Sequence, residues 1–420
     1  MRYNFAALKL SFPVFPILCV WLAVFPCAGW TAETQGPRLS PLAEKPSWRS
    51  LDAYQESITR EDFIDLLDHV YAPAGASKDV IRVEADRALV MTTAGNFWEL
   101  RFAASRDSAK PVRRKWRGRT ELTGRTKDQP LHGVKITLDP GHIGGEWAKI
   151  EERWFQIGGS TPVMEGDMTL YVAKMLAERL DALGAQVTFT RSNSRPVTSL
   201  RPDRLTDEAM KSLVEKDQAV TPASVKREAE RLFYRAAEIR RRARLVNARL
   251  KPDLVLCLHF NAEAWGNESR PTLSEKNHLH FLVTGAFSAS ELGYEDQRFN
   301  MLQKLLSRAY PEELAVTESI ADAMSANTGL PPYQYIGTNA IKVGRSPYIW
   351  ARNLLANRLF NAPVVYLEPY VMNNREVFAR IQAGDYEGVR EVAGAIRPSI
   401  YREYVDSVVH GLVEYYSPNQ

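Results

Sequence analysis

Cysteine is nearly absent from this 420-residue chain: Cys19, Cys27 and Cys257 are all it has. So few thiols exclude a disulfide-stapled scaffold and leave the fold to its apolar core. An excess of one charge is missing too. Lys plus Arg number 54 against 50 Asp plus Glu, a formal +4, which gives little footing for a polyanionic partner, and no nucleic acid is expected. Glycine and proline stand at 24 each, which excludes collagen-like and low-complexity chains. No repeat with a period of about 20–50 residues is visible, so a repeat architecture is not expected. What is present is ordinary. Hydrophobic residues at 45% and charged residues at 25% exclude wholesale disorder, and the length predicts two or three units of roughly 100–200 residues each.

The one long uncharged run lies at the N-terminus. Arg2 and Lys9 are followed by Leu10–Pro26, which carries no charge, and then by the small residues Cys27-Ala28-Gly29 and Thr31-Ala32. Basic, apolar, then small is the order of a secretory signal peptide. Residues 1–32 are therefore expected to be removed on export to the periplasm or cell envelope. Pro13 and Pro16 break the run, which is shorter than the ~20 apolar residues of a spanning helix, so no stable membrane insertion is expected after cleavage; an uncleaved anchor is the alternative. Cleavage would lower the formal charge to +2 and leave Cys257 alone.

Composition then divides the mature chain. Residues 33–47, with Pro37, Pro41 and Pro46, read as a linker. A small α+β unit is expected over 48–104: Thr59-Arg60-Glu61-Asp62 looks like a helix start, and the runs Val80–Val83, Ala88–Met91 and Phe97–Phe102 look like strands. Residues 105–130, rich in Arg and Lys, read as a solvated basic connector. The main domain is expected over 131–416. Strand-like runs at Val134–Leu138, Gln186–Thr190, Leu254–His259, Phe281–Thr284 and Val364–Leu367 alternate with helical patterns such as Met168–Leu183. That alternation predicts an α/β fold, a mostly parallel sheet flanked by helices. An insertion at about 195–250 carries Val225, Ala229, Leu232, Ala236, Ile239, Ala243, Val246 and Leu250, alternately four and three apart, which predicts one long helix with a single apolar stripe packed on its own domain. Arg240, Arg241, Arg242 and Arg244 sit where the helix dipole favours cations.

Four residues fall where chemistry is usually placed in such a sheet. His142 follows the first strand, His259 ends the run Leu254–Leu258, Glu368 ends Val364–Leu367, and Glu165 precedes a helix. Ligands bind at the carboxyl ends of parallel strands, and two imidazoles with one carboxylate suit a catalytic zinc that keeps a position open. Each has a plainer alternative: a hydrogen-bonded histidine, or a glutamate placed by a helix dipole. Glu368 is harder to explain away, because a carboxylate that ends an apolar strand is costly unless solvated or paired. Asp139 reads as a turn residue, Cys257 as a small core residue, Asn261 as a residue able to orient substrate, and His278 and His280 as solvent-facing.

The segments Ile136–His142, Glu165 with its amphipathic helix, Gly184–Arg191, Arg244 with Asn247, Asp253–Ala262 and Pro363–Asn374 occur in an order that resembles zinc-dependent N-acetylmuramoyl-L-alanine amidases. The resemblance implies Zn2+ held by His142, Glu165 and His259 at the carboxyl ends of the strands, with Glu368 as general base and acid. It also implies peptidoglycan as the partner, cut between the muramic lactyl group and L-alanine. Other protein partners are left unassigned. Three departures stand out: Ile143 is inserted into the usual Gly-His-Gly-Gly, Gly166 replaces the lysine that often follows the glutamate ligand, and Pro369-Tyr370 replaces a Gly-Phe type pair. A silent peptidoglycan-binding module and a zinc hydrolase of another exported amide are the alternative functions. Residues 33–130 are outside the resemblance; the 48–104 unit and the basic connector are expected to serve localisation, so a chain beginning near Leu131 is expected to keep its turnover on soluble substrate.

Overall fold

The computed structural model describes residues 38–93, 95–265 and 272–418. The expected signal peptide, with Cys19 and Cys27, lies outside the described residues. Among them no helix is long and apolar enough to cross a membrane.

A helix α1 (Arg60–Leu66) and three antiparallel strands, β1 (Ile81–Val83), β2 (Arg87–Met91) and β3 (Phe97–Arg101), build the N-terminal part. The Thr59 hydroxyl caps α1 by accepting from the Asp62 amide at 3.2 Å. The main sheet has seven strands: β4 (Lys135–Pro140), β5 (Gln186–Phe189), β6 (Leu254–Leu258), β7 (Leu279–Thr284), β8 (Ile341–Lys342), β9 (Ile349–Arg352) and β10 (Val364–Pro369). Their order is β8-β9-β7-β10-β6-β4-β5. Four of the six pairings are parallel, and the neighbours β4, β6 and β10 all run one way. The chain is thus an α/β protein with a mostly parallel sheet.

Period-2 alternation sends successive residues of each strand to opposite faces. On one face Leu138, Leu256, Leu258, Phe281 and Leu367 join the main core with the helices α2 (Glu165–Ala182), α6 (Ala309–Thr328) and α7 (Ile400–Tyr416). On the other, Val255, Cys257, Leu282, Val364 and Tyr366 meet Ala243 and Val246. These two come from the insertion, where α3 (Thr206–Glu215) precedes α4 (Pro222–Leu232) and α5 (Glu238–Leu245). Between and after α4 and α5 run two π turns, Phe233–Ala237 and Val246–Leu250, so the helical path is continuous from Pro222 to Leu250. A π turn adds a residue to the turn and shifts the face that the next segment presents. The first one accompanies a change of neighbours: Ala229 and Leu232 pack in one cluster with Ile143, Ala243 and Val246 in another with the sheet. Asn247 then clamps the approach to β10, donating to the Leu359 carbonyl at 2.8 Å and accepting from the Asn361 amide at 2.9 Å.

Two expectations need correction. The basic stretch is exposed along most of its length but is pinned to the main domain at particular residues. Trp116 and Leu122 are buried, and the Arg117 guanidinium pairs at 2.6 Å with Asp253, whose burial needs a cation beside it. The arginines of the insertion helix are not all held by its dipole: Arg240 and Arg242 are buried in ion pairs with Asp296 and with Asp139 and Glu238. The N-terminal part also shares the main core. Leu51, Phe63, Tyr71 and Leu100 belong to the same apolar cluster as Phe287 and Met301. The Ala286 and Phe287 amides donate to the Val70 and Tyr71 carbonyls at 2.7 Å, and Arg298 donates to the Met91 and Thr92 carbonyls. A cut at Leu131 would expose that shared surface, which argues against the expectation that such a chain keeps its turnover.

Phe63→Ala removes a fully buried ring and is expected to cost about 3–5 kcal/mol. Because the core is continuous, calorimetry is expected to show the main unfolding transition of the whole chain moving down. A main transition left in place beside a separate, lowered one would contradict the shared core.

Candidate active site

The aligned ends of β4, β6 and β10 bring three of the four sequence-derived residues to one place, and α2 brings the fourth. Glu165 opens α2, and its carboxylate reaches His142 Nε2 at 3.2 Å and His259 Nδ1 at 3.2 Å. One ligand atom from each of His142, Glu165 and His259 lies within 4.8 Å of the others. In a tetrahedral site with bonds near 2.1 Å, ligand atoms lie about 3.4 Å apart, so this donor set fits a single divalent ion. Glu165 and His259 are buried and His142 nearly so. Glu368 lines the same cleft, of about 640 Å³, but is not one of that metal-ligating group. It is half-buried, and among the described residues its carboxylate has no hydrogen-bond or ion-pair partner.

The charges act on one another strongly. Burial raises Glu165, but the His142 and His259 rings outweigh it and hold the carboxyl well below the usual range. Burial alone would lower His142; the Glu165 and Glu151 carboxylates overcome it and push the imidazole up to about 9. Protons therefore compete with a metal for this ring up to about that pH. Burial, reinforced by the Glu165 charge, pushes Glu368 up to about 8.

The loop that carries His142 is held under strain. His142 has φ of 59°, the left-handed region, which costs a non-glycine residue about 1–2 kcal/mol. Arg242 opposes that cost by donating to the His142 carbonyl at 2.7 Å and the Pro140 carbonyl at 2.8 Å. Arg191 does the same for the carbonyls of Gly141 and Gly166, at 2.9 and 2.6 Å. Gly141 has to be glycine, because a Cβ there would overlap the His259 ring. The first two departures from the amidase pattern prove to be one feature. Ile143 is fully buried in the cluster with Leu232 and Phe233, and the loop it lengthens lays Gly144 directly on Gly166, where any Cβ would collide with the Gly144 amide. A lysine has no room at 166.

The structure revises three lesser readings. Asp139 is no free turn residue: it is buried between Arg242 and the Thr190 hydroxyl, at 3.0 and 2.5 Å. His278 and His280 do not face solvent. Both are buried, His278 just before β7 and His280 on it opposite Glu368 in the strand register, with His280 Nε2 3.0 Å from the Tyr335 hydroxyl and His278 Nε2 3.0 Å from Glu263. Cys257 is buried, and Asn261 lines the cleft. Sequence reasoning missed Arg242, Glu151 and Arg153, the last 3.3 Å from Glu165. The signal for Arg242 was its place beside the apolar stripe, one position before Ala243. Glu151 sits in a segment without periodicity and left no signal.

The family model Amidase_3, N-acetylmuramoyl-L-alanine amidase, matches residues 136–401. The chain belongs to that family. No curated protein sequence matches it. Among solved structures, the N-acetylmuramyl-L-alanine amidase Ami1 of Mycobacterium smegmatis is 18% identical, with 68% of this chain and 98% of that chain covered and a TM-score of 0.38. The amidase AmiC2 of Nostoc punctiforme is 14% identical, with 70% and 98% covered and a TM-score of 0.35. The CwlD amidase of Clostridioides difficile, solved in complex with the GerS lipoprotein, is 13% identical, with 67% and 96% covered and a TM-score of 0.35. Of this amidase-family chain, the matched span holds His142, Glu165, His259 and Glu368 together.

Restoring the family lysine tests the link between the two departures. Gly166→Lys alone is expected to lower the melting temperature through the collision with Gly144, and deleting Ile143 alone is expected to lower it through loss of a buried side chain. The double variant is expected to recover part of the loss. A double variant whose losses simply add would show the two departures to be independent.

Proposed function

We propose that the chain is an exported, zinc-dependent N-acetylmuramoyl-L-alanine amidase that cuts peptidoglycan between the muramic lactyl group and L-alanine. The observation that carries this reading is the division of labour in the cleft: three donors converge on one point, while Glu368 stands beside them unpaired. His142, Glu165 and His259 would hold the zinc, leaving a position open. When bound, zinc supplies Lewis-acid polarisation of the scissile carbonyl and acidifies the attacking water. Glu368 takes the proton of that water and returns it to the departing L-alanine nitrogen. A base is most useful with a pKa near the working pH, and Glu368 starts from about 8 in the protein alone; with a cation held by the three ligands it would fall from there. The Phe260 amide, 3.2 Å from Glu165 Oε1, and Arg153 steady the glutamate ligand. The His259 ring is kept in plane by stacking on Tyr366, centroids 4.3 Å apart and 13° between planes. Export, argued from residues 1–32, places the chain with its substrate outside the cytoplasm.

Two variants separate the roles. His259→Ala is expected to lose zinc and turnover together. Glu368→Gln is expected to keep zinc and fold while turnover on muropeptides falls by about 10²–10⁴. Metal analysis and mass detection of released L-alanine-terminated peptides check both. Zinc lost from Glu368→Gln would move that residue into the coordination sphere. A wild-type chain that binds peptidoglycan and releases no peptide would replace the enzyme by a binding module.

A further inference from the structure

We infer that Glu151 is a positioning residue for His142, fixing Nε2 as the nitrogen offered to the metal. The inference rests on the zinc reading above and deepens it. Glu151 is 2% exposed, and a buried carboxylate is costly unless its charge and lone pairs are met. Among the described residues no Lys or Arg forms an ion pair with it. Its two oxygens instead divide between neighbours on one loop: Oε2 accepts from the Ile143 amide at 2.7 Å, and Oε1 lies 3.8 Å from His142 Nδ1.

The ring nitrogens of His142 thus face two different carboxylates, Nδ1 toward Glu151 and Nε2 toward Glu165. At 3.8 Å the Glu151 contact is too long for a hydrogen bond, yet its sign is decisive. A lone pair on Nδ1 would face a negative oxygen and be repelled; an N–H on Nδ1 is attracted. Glu165 would hold a proton on Nε2 in the same way, so the lone pair falls there only with a cation among the three ligands; Glu151 would then keep the remaining proton on Nδ1. A carboxylate behind a ligating imidazole also raises its basicity and restrains its rotation.

The inserted residue supplies the anchor. The Ile143 amide grips Oε2 while its side chain is fixed in the cluster with Leu232 and Phe233. The Glu151 amide in turn donates to the Trp147 carbonyl at 3.0 Å. The lengthened loop and the carboxylate form one device.

Glu151→Ala would strand the Ile143 amide and disturb the loop, so Glu151→Gln is the sharper variant: its carbonyl oxygen can still accept from Ile143, but the charge behind Nδ1 is gone. The measurement is the zinc dissociation constant, by competition with a chelating dye, alongside the melting temperature of the metal-free proteins. Glu151→Gln is expected to bind zinc about 10–100-fold more weakly while its metal-free form still unfolds in one cooperative transition, and Glu151→Asp, which keeps the charge, is expected to recover part of that loss. Wild-type protein that binds zinc, with Glu151→Gln binding it as tightly, overturns this inference and leaves the zinc site standing. Wild-type protein that takes up no zinc overturns both.

Discussion

The buried guanidinium of Arg242 is the interaction on which the site depends. It pairs with Glu238 at 2.8 Å and Asp139 at 3.0 Å, and it holds the carbonyls of Pro140 and His142. Removing such an ion from water costs several kcal/mol, which is offset only when its donors and its charge are all met. Here they are met by groups from three different parts of the chain: the end of β4, the His142 loop and α5 itself. That requirement fixes the insertion helix against one face of the sheet, at the carboxyl ends of its strands. An apolar residue at 242 could fill the space, but it would leave Asp139 and Glu238 as unpaired buried charges and His142 without the bond that sustains its left-handed backbone.

Once that contact is made, the rest follows from strand geometry. β4, β6 and β10 are neighbours running one way, so the residues at their ends share an edge. Alternation puts Cys257 and His259, and Tyr366 and Glu368, on the face that α5 covers. The covered part is apolar, with Cys257 and Tyr366 packed near Ala243. Beyond the helix the same face opens into the cleft, where the polar ends of the strands appear. The third departure, Pro369-Tyr370, belongs to this arrangement. Tyr370 is fully buried, with φ of 57°, and its hydroxyl donates to Glu403 on α7 at 2.8 Å. The strand is thus tied to the opposite layer immediately after Glu368.

The parts of this that were legible in the sequence are those governed by short periods. Strands β4, β6 and β10 announced themselves as apolar runs ending in a polar residue, and the helical stripe from Val225 to Leu250 gave the insertion its partner face. The candidate ligands His142, Glu165 and His259 stood out because each ends or begins such an element. What stayed hidden depends on pairing between residues far apart in the chain. Nothing near Arg117 shows that Asp253, on the far side of the insertion, will bury against it. His278 and His280 looked solvent-facing because their segment is polar. β7, however, runs between β9 and β10, and Tyr333 and Tyr335 cover both rings. The anchors of the basic stretch stayed hidden for the same reason: composition records charge, whereas burial depends on whether a counter-charge waits in another element.

The electrostatics of the cleft carry the last step. Three carboxylates, Glu151, Glu165 and Glu368, share it with two imidazoles and the Arg153 guanidinium. With protein groups alone, the excess negative charge is relieved by protons: burial opposes a charge on His142, yet its neighbours hold the proton up to about pH 9, and Glu368 stays protonated to about 8. These two shifts share a cause, since Glu165 raises both. A divalent cation beside Glu165 would remove that cause: it would compete with the proton on His142 Nε2 and lower Glu368 toward the range in which a carboxylate can accept a proton from water and give it up again. On the proposed reading the same charge imbalance would favour a metal and make Glu368 a base only with the metal in place, which would tie the onset of catalysis to loading of the site.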